Sequence, residues 1–272
     1  MIMITNIIYA IIYGIIEGIS EWLPISSTGH LIIADNFISF KNVDNNFMEI
    51  FNVIIQLGAV FAVFMNYFDK INPLKFKSKK RRKEVFHLWG LIVIGLIPSV
   101  IFGLLFDDLL DEYFFNVFTV SITLLLYGII FLFVNSKENS KFDDLSKLDY
   151  KTCFIIGLAQ VLSLIPGTSR SGVCIIACLL LGLNKRASCE YSFLLALPTI
   201  FGASILKVFK FVLAGFVITP NEILLILIGA ITAFLVSLLV IKKLLDYVSR
   251  KSFFAFGVYR IILAMILILF FI

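Results

Sequence analysis

Charge is scarce in this chain. Of its 272 residues only 15% are Asp, Glu, Lys or Arg against 60% hydrophobic, and the mean hydropathy is +1.03. A soluble domain carries about 25% charged and about 45–50% apolar residues, so these proportions exclude a water-soluble globule and indicate an integral membrane protein. Alternation of apolar and polar residues is missing too. The runs Leu88–Phe106, Val117–Val134, Ile223–Ile241 and Phe253–Ile272 are predominantly apolar without strict alternation and approach the ~20 residues needed to cross a bilayer as helices. A membrane β-barrel is thereby excluded. Residues 1–16 have neither a basic cluster nor a small-residue cleavage site, so no removable signal peptide is expected there. The four cysteines, Cys153, Cys174, Cys178 and Cys189, follow no zinc or disulfide spacing. They are expected to be small packing residues.

The charge that is present is unevenly placed. The net charge is +5, and Lys70, Lys75, Lys77, Lys79, Lys80, Arg81, Arg82 and Lys83 form one block. A run of this kind can bind nucleic acid. Between two membrane spans it reads instead as a cytoplasmic loop obeying the positive-inside rule, so no nucleic-acid partner is expected. Residues 69–87 and 242–252, the latter with Lys242, Lys243, Arg250 and Lys251, are then cytoplasmic. Asp107, Asp108, Asp111, Glu112 and the C-terminal Ile272 face outward. His87, beside the basic loop, is assigned to the interface without a role.

The two halves of the chain echo one another. Gly14-Ile-Ile-Glu17-Gly-Ile-Ser-Glu21 is matched by Gly157-Leu-Ala-Gln160-Val-Leu-Ser-Leu164, and after a one-residue gap Pro24-Ile-Ser-Ser27 is matched by Pro166-Gly-Thr-Ser169. Glu49 and Glu190 each precede an apolar span, and residues 113–118 resemble 252–257. Pro24 and Pro166-Gly167 break helices, and the segments beside Glu17–Glu21 read as too short to cross. The expected fold is an all-α integral membrane protein with two inverted-topology repeats, each a re-entrant helical hairpin plus three transmembrane helices. A single domain covers 1–272, with repeat one at about 1–135 and repeat two at about 150–272. Spans 48–68 and 190–208 then run in opposite directions. Inverted repeats place a polar site near the midplane, between broken helices.

Two stretches hold polar groups where hydrocarbon should allow none: Glu17–His30 and Pro166–Gly172. An isolated charge there costs at least ~2.5–3.5 kcal/mol on insertion scales, so such groups mark a functional site. Glu17 and Glu21 are four apart, with Cβ atoms about 5–6 Å apart on one helical face. Two like charges that close need a cation or proton between them, and a hard divalent ion suits paired carboxylates. Ser26, Ser27, Thr28 and His30 follow the helix break. Hydroxyls there are ordinarily caps, yet a serine near a histidine is a minimal activated nucleophile. Gly167, Thr168, Ser169, Arg170 and Ser171 supply what an anion needs: close backbone approach, N–H donors and a guanidinium fork. Together the groups describe phosphoryl transfer.

At these residues the chain resembles the bacterial undecaprenyl-diphosphate phosphatase family of the bacitracin-resistance type. The family's glutamate-rich motif corresponds to Glu17–Glu21 with Pro24–His30. Its Pro-Gly-x-Ser-Arg-Ser-x-x-Thr motif corresponds to Pro166–Cys174, with Cys174 in place of the threonine. The likeness continues through Ile55–Ala59, Ile97–Ser99, Gly103–Asp108, Ser192–Ala196 and Phe256–Arg260.

The resemblance implies hydrolysis of a C55 polyprenyl diphosphate to undecaprenyl phosphate and inorganic phosphate, recycling the lipid carrier for peptidoglycan synthesis and conferring bacitracin resistance. It also implies dependence on Mg²⁺ or Ca²⁺ and a multi-pass place in the bacterial plasma membrane, with the active site open to the outer face. Carried onto this sequence, Glu17 and Glu21 hold the metal and Ser27 is the nucleophile. His30 is the acid or base, and Arg170 clamps the phosphate with Ser169 and Ser171. Glu21 also counts among the catalytic groups. Ser26, Thr28, Gly167 and Thr168 bind substrate. A metal-activated water attacking directly is the mechanistic alternative, and a polyprenyl-phosphate transporter or flippase is the alternative function. Neither oligomeric state nor chain-length preference is legible.

Overall fold

The computed structural model describes residues 1–44, 46–134 and 140–271. The side chains of Asp107, Asp108 and Asp111 lie outside that description, as do Ile272 and residue 135, where repeat one is expected to end. Within it the chain forms ten α-helices: α1 (Ile2–Ser20), α2 (Ser27–Phe37), α3 (Phe47–Ile71), α4 (Lys79–Phe114), α5 (Val117–Phe133), α6 (Tyr150–Val161), α7 (Arg170–Leu180), α8 (Lys185–Leu213), α9 (Pro220–Arg250) and α10 (Phe254–Phe271). Local chemistry sets several starts. Asn116, Asp149 and Asn184 accept hydrogen bonds from the backbone N–H three residues on, capping α5, α6 and α8. Thr219 and Glu222 form a reciprocal capping box at α9, with Pro220 in its first turn.

Six helices among the described residues, α1, α3, α4, α8, α9 and α10, are long and apolar enough to cross a bilayer. The protein is a multi-pass membrane protein. The first hairpin is more lopsided than the sequence reading has it. Its α1 has 19 residues, enough for a crossing, while α2 has 11, as does α7 opposite the 12-residue α6. At 1.5 Å per residue the short members span roughly half of a ~30 Å hydrocarbon core. In a bilayer a half-crossing segment must end against protein. Both hairpin turns do so, burying Pro24 and Pro166.

Ends of helices meet in a pattern that fixes their directions. Lys70, in the last turn of α3, pairs with Glu190 near the start of α8 at 2.7 Å. Lys185 of α8 donates to the carbonyl of Lys251, just past α9, at 3.0 Å. The start of α4, the start of α8 and the end of α9 therefore share one basic end of the bundle. At the other end the Asp44 N–H, before α3, donates to Glu222 at the start of α9 at 2.8 Å. So α3 and α8 run oppositely, as do α4 and α9, and α5 and α10.

The helices approach closely where side chains are absent. A Cβ at Gly14 of α1 would strike the carbonyl of Gly229 on α9, and one at Gly157 of α6 would strike the backbone of Gly95 on α4. Lipid tails are as apolar as leucine, so helix association in a membrane depends on such backbone approach and dispersion contact. The four cysteines are buried and unpaired, as expected. His87 meets only the Tyr150 hydroxyl, at 3.3 Å, among its hydrogen bonds.

Candidate active site

The two hairpin turns face each other. Each is followed by a helix whose N-cap serine has an unusual backbone: Ser26 at φ 73°, ψ 102° and Ser169 at φ 70°, ψ 111°. Their hydroxyls accept from the N–H of Gly29 at 3.4 Å and of Gly172 at 3.2 Å. A non-glycine residue held at positive φ costs about 1–3 kcal/mol and persists only where its surroundings over-determine it. The two caps match in conformation, which pairs the turns one residue away from the match between their prolines. Ser26 corresponds to Ser169 with no gap, so Arg170 stands where repeat one has Ser27.

Arg170 opens α7 and reaches back to the first turn. Its Nη2 donates to Glu21 Oε1 at 3.1 Å and its Nη1 to the carbonyl of Ser192 at 2.9 Å. Both charged side chains are buried, 10% and 6% exposed. The guanidinium lies 5.8 Å from the Trp22 ring centroid. Glu21's other oxygen, Oε2, accepts from the Ser27 hydroxyl at 3.0 Å. Ser171 Oγ donates to the Glu21 carbonyl at 3.1 Å. Ser27, Glu21 and Arg170 thus form one chain of contacts across the two halves.

Ser27 opens onto a cavity of about 570 Å³, which Glu17 and Thr28 also line, with Asp35, Glu49, Asn52, Gln56 and Lys207 completing its polar wall. Glu17 is 1% exposed, and its Oε1 has no hydrogen-bond partner. The remaining expected residues are placed differently. His30 does not reach Ser27: its Nδ1 contacts the Ser26 carbonyl at 2.7 Å and its Nε2 the Tyr259 hydroxyl at 2.6 Å. Because a carbonyl only accepts, Nδ1 carries the proton. Ser26 and Ser169 serve as caps. Gly167 lies against Thr123 and Val120 of α5. Thr168 is buried with an unpartnered hydroxyl.

The chain-wide comparison bears on what this arrangement does. The family described as Bacitracin resistance protein BacA matches residues 10–266. This chain belongs to that family. It is 47% identical over 269 residues to the undecaprenyl-diphosphatase of Streptococcus mutans serotype c, covering 97% of this chain and 95% of the relative. The undecaprenyl-diphosphatases of Enterococcus faecalis and Acetivibrio thermocellus are 46% and 45% identical, each covering 98% of both chains.

In this BacA-family chain, one site residue could be named from sequence only as part of a motif. Arg260 is fully buried on α10. Its Nη1 donates to the Pro24 carbonyl at 3.2 Å, and its Nη2 lies within reach of the carbonyls of Gly167 (2.9 Å), Thr168 (3.1 Å) and Thr123 (3.4 Å). One side chain therefore ties both hairpin turns to α5. An arginine inside an otherwise apolar final helix was the available signal. The cavity's Asp35 and Lys207 stand alone in their segments, whereas Glu49, Asn52 and Gln56 fall at spacings of three and four on α3, a polar stripe that was the available signal.

A lysine cannot span four carbonyls from a single nitrogen with three donors. Arg260→Lys should leave at least one buried acceptor unsatisfied and cost about 1–3 kcal/mol of stability. Thermal unfolding of the purified protein in detergent reads this as a lowered Tm. An unchanged Tm would mean that the two turns hold together without the staple.

Proposed function

We propose that this protein hydrolyses undecaprenyl diphosphate to undecaprenyl phosphate and inorganic phosphate, recycling the lipid carrier in the bacterial plasma membrane. The observation that carries the reading is the partly buried Ser27–Glu21–Arg170 contact chain, whose Ser27 end opens onto the cavity. The activity for which the relatives are named agrees with it. In this mechanism Ser27 Oγ loses its proton to Glu21 Oε2 and attacks the terminal phosphorus, breaking the bond to the bridging oxygen. Undecaprenyl phosphate departs and water then cleaves the phosphoserine. Arg170 orients Glu21 and neutralises charge on the phosphoryl oxygens, as a preorganised donor does in a dry site. His30, turned toward Tyr259, holds the strained turn rather than acting as the base.

The Mg²⁺ or Ca²⁺ implied by the family fits part of this site. No three His, Cys, Asp or Glu side chains among the described residues are grouped to hold a metal unaided. The orphaned Glu17 Oε1 suits a cation whose remaining ligands are phosphate oxygens and water, the usual manner of Mg²⁺. Glu17 is the expected ligand, and Glu21 is engaged by Ser27 and Arg170. A bound cation would neutralise diphosphate charge. We further read the chain as two inverted repeats, consistent with the opposed directions of paired helices, with the cavity open to the outer face. The halves are chemically unequal. Gln160, the counterpart of Glu17, is closed in by Ser99 at 2.8 Å, Thr199 at 3.3 Å and Cys174 at 3.4 Å. Carboxylates and the nucleophile in one half, with the arginine in the other, favour an enzyme over a symmetric transporter.

Phosphate release from C55 diphosphate by purified protein in detergent tests the reading, since no membrane is then left to transport across. Glu21→Gln and Arg170→Lys should each lose about 10²–10³ in kcat. Ser27→Ala should lose at least as much, and excess chelator should abolish turnover until Mg²⁺ or Ca²⁺ is restored. Ser27→Ala within tenfold of wild type would instead assign the attack to water. Turnover undiminished in chelator would remove the cation.

Topology is checked with single cysteines in a background lacking the native four. Ser78→Cys is expected to react with impermeant reagent only from the cytoplasmic side and Asn116→Cys only from outside. Labelling from the same side would overturn the inverted arrangement.

A further inference from the structure

On the far wall of the polar cavity, α8 separates it from a second, apolar cavity. Ala203 and Lys207 line both. The second cavity, about 230 Å³, lies between α4, α8 and the turn after α6. Its inner end holds Ser99 and Thr199, which Gln160 bridges. Its outer end reaches Leu104 and Val100, 65% and 44% exposed on the flank that faces lipid. From there the surface continues into a third apolar hollow that shares Leu164 and is walled by Phe102, Phe106 and Leu109 of α4.

The opening of this groove is a matter of missing side chains. Gly103 on α4 and Gly202 on α8 both line it, and a Cβ built on either would meet nothing within 4 Å. The interhelical glycines described above behave oppositely, since a Cβ there strikes backbone. Gly103 and Gly202 therefore do not bring helices together. They keep space empty. The two cavities thus lie back to back across Ala203 and Lys207: on one side is the chamber onto which Ser27 and Glu17 open, and on the other an apolar groove that ends at the exposed Val100 and Leu104. A molecule with an anionic head and a long hydrocarbon tail has this same order of chemistry.

We infer that the groove between α4 and α8 is the subsite for the isoprene units of the lipid substrate beyond the first, with Gly103 and Gly202 as its specificity-determining positions. The inference rests on reading the substrate as a prenyl diphosphate. It makes the tail contribute binding while the head reacts elsewhere, so blocking the groove should weaken capture of long-tailed substrate without touching chemistry.

The test fills the groove from either wall with Gly202→Phe or, separately, Gly103→Phe. Both positions are helical and open, so neither variant overpacks the core, and replacing a helical glycine favours the helix. Phosphate release is measured with C55 diphosphate and with dimethylallyl diphosphate, whose single isoprene unit provides little tail. Loss of contact with as few as two methylene groups is worth about tenfold in affinity. KM for the C55 substrate should therefore rise about tenfold or more with kcat held within about twofold, while kinetics on the C5 substrate stay unchanged. Equal losses on both substrates, or no loss on either, would overturn the inference; the second result would mean that the groove holds ordinary membrane lipid.

Wild-type protein is also photolabelled with a prenyl diphosphate carrying a diazirine on its second isoprene unit. Label should fall within 96–104 or 198–207, and label confined to α9 or α10 would refute the placement. Labelling reads tail position whether or not phosphate is released, so failure of the hydrolase reading and failure of the groove are separate results.

Discussion

Much of this molecule is arranged around one ion pair, Glu21 with Arg170, formed in apolar surroundings by residues 149 positions apart. A buried pair of this kind adds little net stability, because desolvation offsets most of the attraction. What it contributes is position. Glu21's remaining oxygen is presented to Ser27, and Arg170's second nitrogen is anchored on the Ser192 carbonyl. The pair can exist only if both hairpin turns end at the same place inside the bundle. The half-length helices, the strained serine caps and the Arg260 staple all serve that meeting.

Arg260 solves a particular problem. Hairpin turns expose carbonyls that no helix satisfies, and unsatisfied groups in an apolar interior each cost free energy. A fully buried guanidinium reaching Pro24, Gly167, Thr168 and Thr123 answers several of these from one side chain. It also couples the position of Ser27 to that of Arg170 through the backbone. Ser26 and Ser169, held at positive φ, fit a site whose geometry is fixed by its surroundings before substrate arrives.

The membrane class and the polar place where the hairpin turns meet are legible in the sequence for a plain physical reason: charge in hydrocarbon is costly, so Glu17, Glu21 and Arg170 stand out. The internal echo also gave the helix order. It misaligns the turns by one residue, because the prolines Pro24 and Pro166 match by type while the capping serines Ser26 and Ser169 match by conformation. His30 was paired with Ser27 from proximity along the chain. In space, one helical turn points its ring toward Ser26 and Tyr259 instead. The 19-residue α1 was read as a half-span, since a helix break at Pro24 does not say how far the preceding helix extends. Asp35 and Lys207 reach the cavity only through tertiary packing, so no local pattern announces them, while Glu49, Asn52 and Gln56 form a polar stripe along α3.

If the Glu21–Arg170 contact organises catalysis, the two residues act as a unit. A double-mutant cycle on kcat/KM for C55 diphosphate, with Glu21→Gln, Arg170→Lys and the pair combined, measures this directly. The double variant should be little slower than the slower single variant, because either substitution alone already removes the carboxylate–guanidinium pair. Losses that simply multiply would show two residues working independently and would contradict the account.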